Sequence, residues 1–293
     1  MNIVRRHRFG EVTGVELGFG PVGPPFMNVF FFIAGGAVID TGQPNMRRHA
    51  LRAARAKRPD CILLTHFHED HSGNARAMAK EMGIPAFGHP LTARRMAEGF
   101  YHHPYRQAVW GQAPKTLIRP LEGPVAMGKY RFIPIHTPGH SRDHVAYLEE
   151  NNGWLFSGDL YLGDRIKFFR PGESIGDQIA SLKKVLVLDF DALFCAHHPR
   201  IEYGRRHIAA KLDFLEGFVE SVGTLHRRGY PSGRIIAALG NGGDRAVKWI
   251  TLGDASFANM VRSALRQITA VPPGDARAGD RKKEGHDQAA PAI

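Results

Sequence analysis

Thr65-His66-Phe67-His68-Glu69-Asp70-His71-Ser72-Gly73-Asn74 brings three imidazoles and the Asp70 carboxylate within six residues, directly after the apolar run Cys61-Ile62-Leu63-Leu64. Neutral imidazole and carboxylate are donors that suit Zn²⁺, and also Fe or Mn. If the apolar run is a buried strand ending near Thr65, His66 and His68 leave it two residues apart. Extended backbone turns such side chains to one face, so both reach a single cation. Asp70 and His71 follow where the chain turns into a helix and are placed to reach a second cation nearby.

Three more ligand-like groups stand at the ends of expected strands. His140 follows the strand 130–135, Asp159 follows the strand 154–156, and His197 follows the strand 192–196. Each is preceded by a small residue, Gly139, Gly158 or Ala196, which lets the backbone approach a crowded centre. Four strand ends that each deliver His or Asp are hard to explain without a metal.

The ordered set His66-x-His68-x-Asp70-His71, then His140, Asp159 and His197, resembles the metallo-β-lactamase fold superfamily of metal-dependent hydrolases, in its glyoxalase II and lactonase-like branch. Asp40-Thr41-Gly42 matches that superfamily's upstream Asp motif, and the likeness spans roughly residues 12–200. The resemblance implies an α/β fold, an αββα sandwich with the ligands gathered at one edge between two sheets. It implies that His66, His68 and His140 hold a first metal, that Asp70, His71 and His197 hold a second, and that Asp159 bridges them. His197 is preferred to His198 as the ligand because a small residue precedes it. Two Zn²⁺ are expected, with Fe or Mn as the other choices.

Two cations about 3.5 Å apart bind a shared water and lower its pKa toward ~7, which gives a bridging hydroxide nucleophile at neutral pH. Asp70 and Asp40 are the expected catalytic carboxylates. Asp70 orients the nucleophile or relays its proton, and Asp40 fixes the ligands by accepting hydrogen bonds. The resemblance also excludes readings. The best-known β-lactamases carry Cys or Ser at the Asp159 position, and the interval from Asp159 to His197 is too short for the insert of the RNA- and DNA-cleaving branch. A binuclear hydrolase of a small anionic thioester, lactone or ester remains. The alternatives are an RNase Z-like phosphodiesterase and a mononuclear iron enzyme of the persulfide dioxygenase type. Tyr161, Arg165 and His198 are the candidate substrate-binding residues. Residues 99–114, rich in aromatics and His, read either as a lid or as a packed surface loop.

At 293 residues the chain can bury one full core plus an appendage. Its longest apolar run, residues 29–34, cannot span a bilayer. No secretory h-region follows Arg5, Arg6 and Arg8. The two cysteines, Cys61 and Cys195, read as core thiols, so a cytoplasmic setting is expected. The net charge of +11 raises the local concentration of anionic substrates or nucleic acid, and no RNA-binding arm is recognised in the chain. No membrane and no nucleic-acid partner are expected, and a homodimer is compatible with this reading.

Alternating strands and helices fill residues 12–100, with Gly35-Gly36 as a hairpin turn, a helix over 44–57 and another over 74–82 stopped by Gly83. A helix over 174–188 begins at Ser174. After Pro199 apolar residues recur at helical spacing. A catalytic unit over 1–203, an all-helical C-terminal subdomain over 204–270 and a disordered tail over 271–293 are therefore expected. In the subdomain Ser232 is expected to cap one helix, and Asp254 or Ser256 another.

Overall fold

The computed structural model describes residues 1–240 and 242–270. The tail expected to be disordered lies outside the described residues.

Two sheets form the centre. The first has seven strands in chain order: β1 (Ile3–Phe9), β2 (Val12–Gly18), β3 (Asn28–Ala34), β4 (Ala37–Ile39), β5 (Cys61–Leu63), β6 (Ala86–Gly88) and β7 (Arg119–Pro120). The second has β8 (Val125–Met127), β9 (Tyr130–His136), β10 (Val145–Glu149), β11 (Trp154–Gly158) and β12 (Ala192–Cys195), in the order β12-β11-β10-β9-β8. β3 shows how one strand serves two layers. Phe30, Phe32 and Ala34 face the second sheet and meet Phe132, Tyr147, Phe156 and Phe194. Phe31 and Ile33 face outward onto helices α1 (Arg47–Arg55) and α3 (Ala75–Met82). A strand covered on both faces loses the apolar/polar alternation, hence the unbroken run Val29 to Ala34. Gly35 and Gly36, at φ +52° and +81°, make the tight turn to β4 that residues with a Cβ resist.

The outer face of the second sheet packs on α6 (Ile175–Leu186), α7 (Gly204–Arg227), α8 (Ser232–Leu239) and α10 (Phe257–Ala270). One apolar cluster runs from Ala146 and Leu193 in the sheet to Leu215 and Val261 in these helices. The layers are thus helix, sheet, sheet, helix, the expected sandwich. Ser174 caps α6 by accepting from the Asp177 amide, and Gly83, left-handed at φ +68°, closes α3. No described helix is long and apolar enough to cross a membrane.

Some elements differ from expectation. β1 was not expected, because its side chains are mostly charged or polar. It exists by pairing in full register with β2, and its exposed arginines suit a sheet edge. The two- and three-residue strands β7 and β8 are too short to leave a period in sequence. Ser232 occupies the first turn of α8 and caps nothing, since Pro231 holds the cap position. Ser256 accepts from the Asn259 amide at the start of α10, whereas the Asp254 carboxylate is bonded to Tyr105. Cys61 and Cys195 are buried, unpaired and in different sheets.

Candidate metal centre

Five strands end at one edge of the sandwich, and each delivers a site residue. Asp40 follows β4, His66 and His68 follow β5, His140 follows β9, Asp159 directly follows β11, and His197 follows β12. The four-residue helix α2 (Glu69–Ser72) turns Asp70 and His71 toward the same point.

The donor atoms form two groups, His66, His68, His140 and Asp159 in one, and Asp70, His71 and His197 in the other, with all seven residues buried. In the first, His68 Nδ1 lies 2.8 Å from His66 Nε2 and 3.0 Å from His140 Nε2, and Asp159 Oδ2 lies 3.2 Å from His140 Nε2. In the second, Asp70 Oδ2 is 3.7 Å from both His71 Nε2 and His197 Nε2. Asp159 Oδ1 sits 3.3 Å from His71 Nε2 and 3.4 Å from His197 Nε2. One carboxylate therefore offers one oxygen to each group. His71 Nε2 and Asp159 Oδ1 are buried with no hydrogen-bond partner, an arrangement that costs about 1–3 kcal/mol per group unless a cation receives the lone pairs. Converging nitrogens and oxygens of this kind fit a divalent metal.

The electrostatics agree. Burial, with neighbouring positive groups adding to it, holds His66 and His68 well below the usual imidazole range, so both rings are neutral donors. Burial opposes charge on His71, but Asp159, Asp70 and Asp40 outweigh it and raise its pKa. Burial likewise works against ionising Asp159, and the facing rings of His71, His140 and His197 overcome it, so the carboxylate is held ionised.

The supporting contacts fix tautomers and directions. Asp40 accepts from the Thr65 amide at 2.8 Å and lies 2.8 Å from His71 Nδ1, which leaves His71 Nε2 free for the centre. The Asn28 carbonyl does the same for His197, 2.7 Å from its Nδ1. Asp143 accepts from the Phe67 amide and the Thr92 hydroxyl and so pins the His-rich loop from outside. His144 is in contact with the site. Its Nδ1 lies 2.8 Å from the Thr137 hydroxyl, and its Nε2 accepts from the Asp159 amide at 3.0 Å. Asn28, Asp143 and His144 carry no motif that sequence reading could have used.

Gly158 is one of the small residues before a ligand. At φ +48°, a Cβ there would lie 2.7 Å from His144 Nε2 and 2.8 Å from Thr65 Cβ. Gly158→Ala is therefore expected to shift Asp159 and to lower metal affinity about 10–100-fold, as loss of outer-shell support does elsewhere. A chelator titration measures this, and unchanged affinity with native circular dichroism would refute the account.

A cavity of about 770 Å³ opens on the centre at Asp70, His140, Asp159 and His197. Its wall is apolar at Phe30, Val109, Trp110 and Phe168 and basic at Arg165, Lys167, Arg200 and Lys211. Lys211 is buried, bonded to the Leu160 carbonyl, and pushed down to about 8 by burial. Of the substrate candidates, Arg165 and His198 line this cavity and Tyr161 does not. Tyr161 is fully buried against α7 and donates its hydroxyl to Asp164 at 2.6 Å, because the chain after Asp159 turns back into the helical core. Residues 99–114 contain an unexpected helix, α5 (Pro104–Val109), and Tyr105, Val109 and Trp110 wall the cavity. His198 joins neither donor group.

Residues 24–197 match the profile of the Metallo-beta-lactamase superfamily. The chain is 32% identical over 136 residues to the probable metallo-hydrolase YybB of Bacillus subtilis, covering 46% of this chain and 60% of that one. It is 30% identical over 165 residues to a hydroxyacylglutathione hydrolase of Pectobacterium carotovorum, covering 55% and 56%. The chain thus spans between half and two thirds of the length of these relatives. A crystal structure of a metallo-beta-lactamase family protein from Thermus thermophilus superposes with a TM-score of 0.61 at 18% identity, over 89% of this chain and 93% of the other.

Proposed function

Because the chain belongs to the metallo-beta-lactamase superfamily, we propose that it is a binuclear zinc hydrolase of a small anionic thioester, lactone or ester. The observation that carries this reading is Asp159, whose two oxygens face two separate buried donor groups at the floor of a cavity. In this reading His66, His68 and His140 would hold one ion, Asp70, His71 and His197 would hold the other, and Asp159 would offer one oxygen to each. Two such ions supply a water that ionises near neutral pH and an electrophile for the carbonyl oxygen.

The chain's own residues do the rest. Asp70, lining the cavity, orients the attacking water and takes its proton. Asp40 acts through His71 and touches no substrate. Arg165, Lys167 and Arg200 attract an anionic substrate, His198 stands beside them as a neutral ring able to hydrogen-bond it, and the apolar wall takes its acyl part. Residues 1–203 act as the catalytic unit, and 204–270 as a helical subdomain that supplies Val247, Thr251 and Ala255 to the cavity wall. A cytoplasmic setting accords with the unpaired thiols of Cys61 and Cys195. The relatives named as hydroxyacylglutathione hydrolases favour the thioester.

The test is hydrolysis by the zinc-loaded protein of a glutathione thioester, an acyl lactone and a bis-aryl phosphodiester. Turnover of the thioester or the lactone is the expected result. Turnover of the phosphodiester alone, or of none, refutes the reading.

A further inference from the structure

An imidazole that gives one nitrogen to a cation carries its proton on the other, and an acceptor for that proton fixes the plane of the ring. His66 has the Thr65 hydroxyl 3.0 Å from its Nδ1, His71 has Asp40 at 2.8 Å, and His197 has the Asn28 carbonyl at 2.7 Å. His140 is different. Its Nε2 faces the first donor group, 3.0 Å from His68 Nδ1, while its Nδ1 is buried without a hydrogen-bond partner. A buried ring nitrogen left in that state is costly until an acceptor closes on it.

The carboxylate that faces this nitrogen is Glu173, with Oε2 3.6 Å from Nδ1. Glu173 is buried, on the short segment ahead of α6. Its Oε1 accepts from the Arg170 amide at 3.0 Å, and its Oε2 accepts from Gln178 Nε2 at 3.0 Å. A carboxylate has about four lone-pair sites, so Oε2 can take a second donor. Shortening 3.6 Å to a normal ~2.9 Å takes about 0.7 Å, a small side-chain rotation.

The backbone around the two residues is built to keep them facing. The Ser174 amide donates to the Gly139 carbonyl at 2.8 Å, and the Ser181 hydroxyl donates to the Pro138 carbonyl at 2.7 Å. Gly139, at φ +132°, lets the loop that carries His140 close on α6, since a Cβ there would lie 2.5 Å from the Gln178 amide nitrogen. From the other side Ser263 of α10 donates to the Glu173 carbonyl at 3.0 Å and accepts from the Ile175 amide at 2.9 Å. A C-terminal helix thereby holds a carboxylate behind a donor of the sheet edge.

We infer that Glu173 is the positioning residue of His140. It accepts a hydrogen bond from Nδ1–H, fixes the ring with Nε2 toward the centre and makes that nitrogen a stronger donor. Glu173 acts through His140, as Asp40 acts through His71. The inference rests on the metal reading of the site and on no particular substrate.

The test uses metal alone. Zinc affinities of the wild type, Glu173→Ala and Glu173→Gln are measured by competition with a chromogenic chelator. The same proteins loaded with Co²⁺ are compared by proton NMR, in which ring N–H protons of bound imidazoles are strongly shifted and are lost to exchange with water unless an acceptor holds them. Glu173→Ala is expected to weaken at least one zinc-binding step about 10–100-fold and to remove one such signal. Glu173→Gln keeps an acceptor oxygen without the charge and should lie between the wild type and Glu173→Ala in affinity. Circular dichroism and thermal unfolding of the metal-free proteins read the fold separately. A merely structural role would lower the unfolding midpoint and leave zinc affinity and the N–H signals unchanged, and that result overturns the proposal. So does a wild type that binds no metal. Should Glu173→Ala fail to fold, Glu173→Gln decides, and affinity and signals equal to wild type there overturn it. Because no substrate enters the experiment, failure of the thioester, lactone or ester reading leaves its outcome intact.

Discussion

Asp159→Ala is expected to abolish hydrolysis and strip the centre of metal while leaving the fold intact. Among the described residues the carboxylate is the one group with an oxygen close to each donor set, at 3.2 Å from His140 Nε2 and at 3.3 and 3.4 Å from His71 and His197. Its removal takes one donor from each side at once. It also removes a buried negative charge facing three imidazoles, so two cations brought together there lose the anion that screens them. Several kcal/mol of transition-state stabilisation depend on the ions, which corresponds to a loss of about three orders of magnitude or more in kcat/KM. Elemental analysis after dialysis should show the metal content falling with the activity. A variant that kept both its metal and its rate would show that Asp159 is not the bridge.

Glu69→Ala should be the most destabilising single change near the site, although Glu69 is no metal donor. Its side chain is fully buried and receives both Arg106 Nε at 2.5 Å and Arg106 Nη2 at 2.6 Å, a bidentate pair joining α2 to α5. Truncating one partner leaves the Arg106 guanidinium, itself only 10% exposed, without its counter-ion. Breaking a buried pair in this way costs about 3–5 kcal/mol. For a chain of this size that lowers the midpoint of thermal unfolding by roughly 10 °C. The pair also holds α5 over the cavity, so Tyr105, Val109 and Trp110 should loosen and KM should rise more than kcat falls. Replacing both partners by leucine should recover part of the stability, since two apolar groups leave no buried charge. A midpoint within one or two degrees of wild type for Glu69→Ala would mean that the pair contributes little.

The ten-residue stretch 65–74 itself holds two kinds of residue. His66, His68, Asp70 and His71 point inward to the donor groups, while Glu69 points away and fastens the wall of the cavity. The loop over 99–114 is therefore a fixed wall. It is tied at its middle, through two adjacent residues of α5, by Arg106 to the His-rich motif and by the Tyr105 hydroxyl, which lies 2.5 Å from Asp254 ahead of α10.

Much of this was open to reading in the chain itself. The α/β class followed from alternating strands and helices, and the sandwich from the family resemblance that the His and Asp residues at the strand ends carry. The seven donors followed from residue chemistry at those strand ends, because a ligand must be a particular kind of atom and must stand where a strand stops. Such requirements are local and leave local marks. Ser174 and Gly83 are legible for the same reason, since a helix end needs its cap within a few residues. What the tertiary structure alone decided is set by partners far away in sequence. β1 is a strand because β2 offers its edge, not because arginines favour extended chain. Tyr161, two residues beyond a ligand, turns into the helical core, whereas Arg165 reaches the cavity. Glu69 meets Arg106 across 37 residues and Tyr105 meets Asp254 across 149. No pattern in the chain announces such pairs, because each depends on how two surfaces are brought together once the sheets have closed.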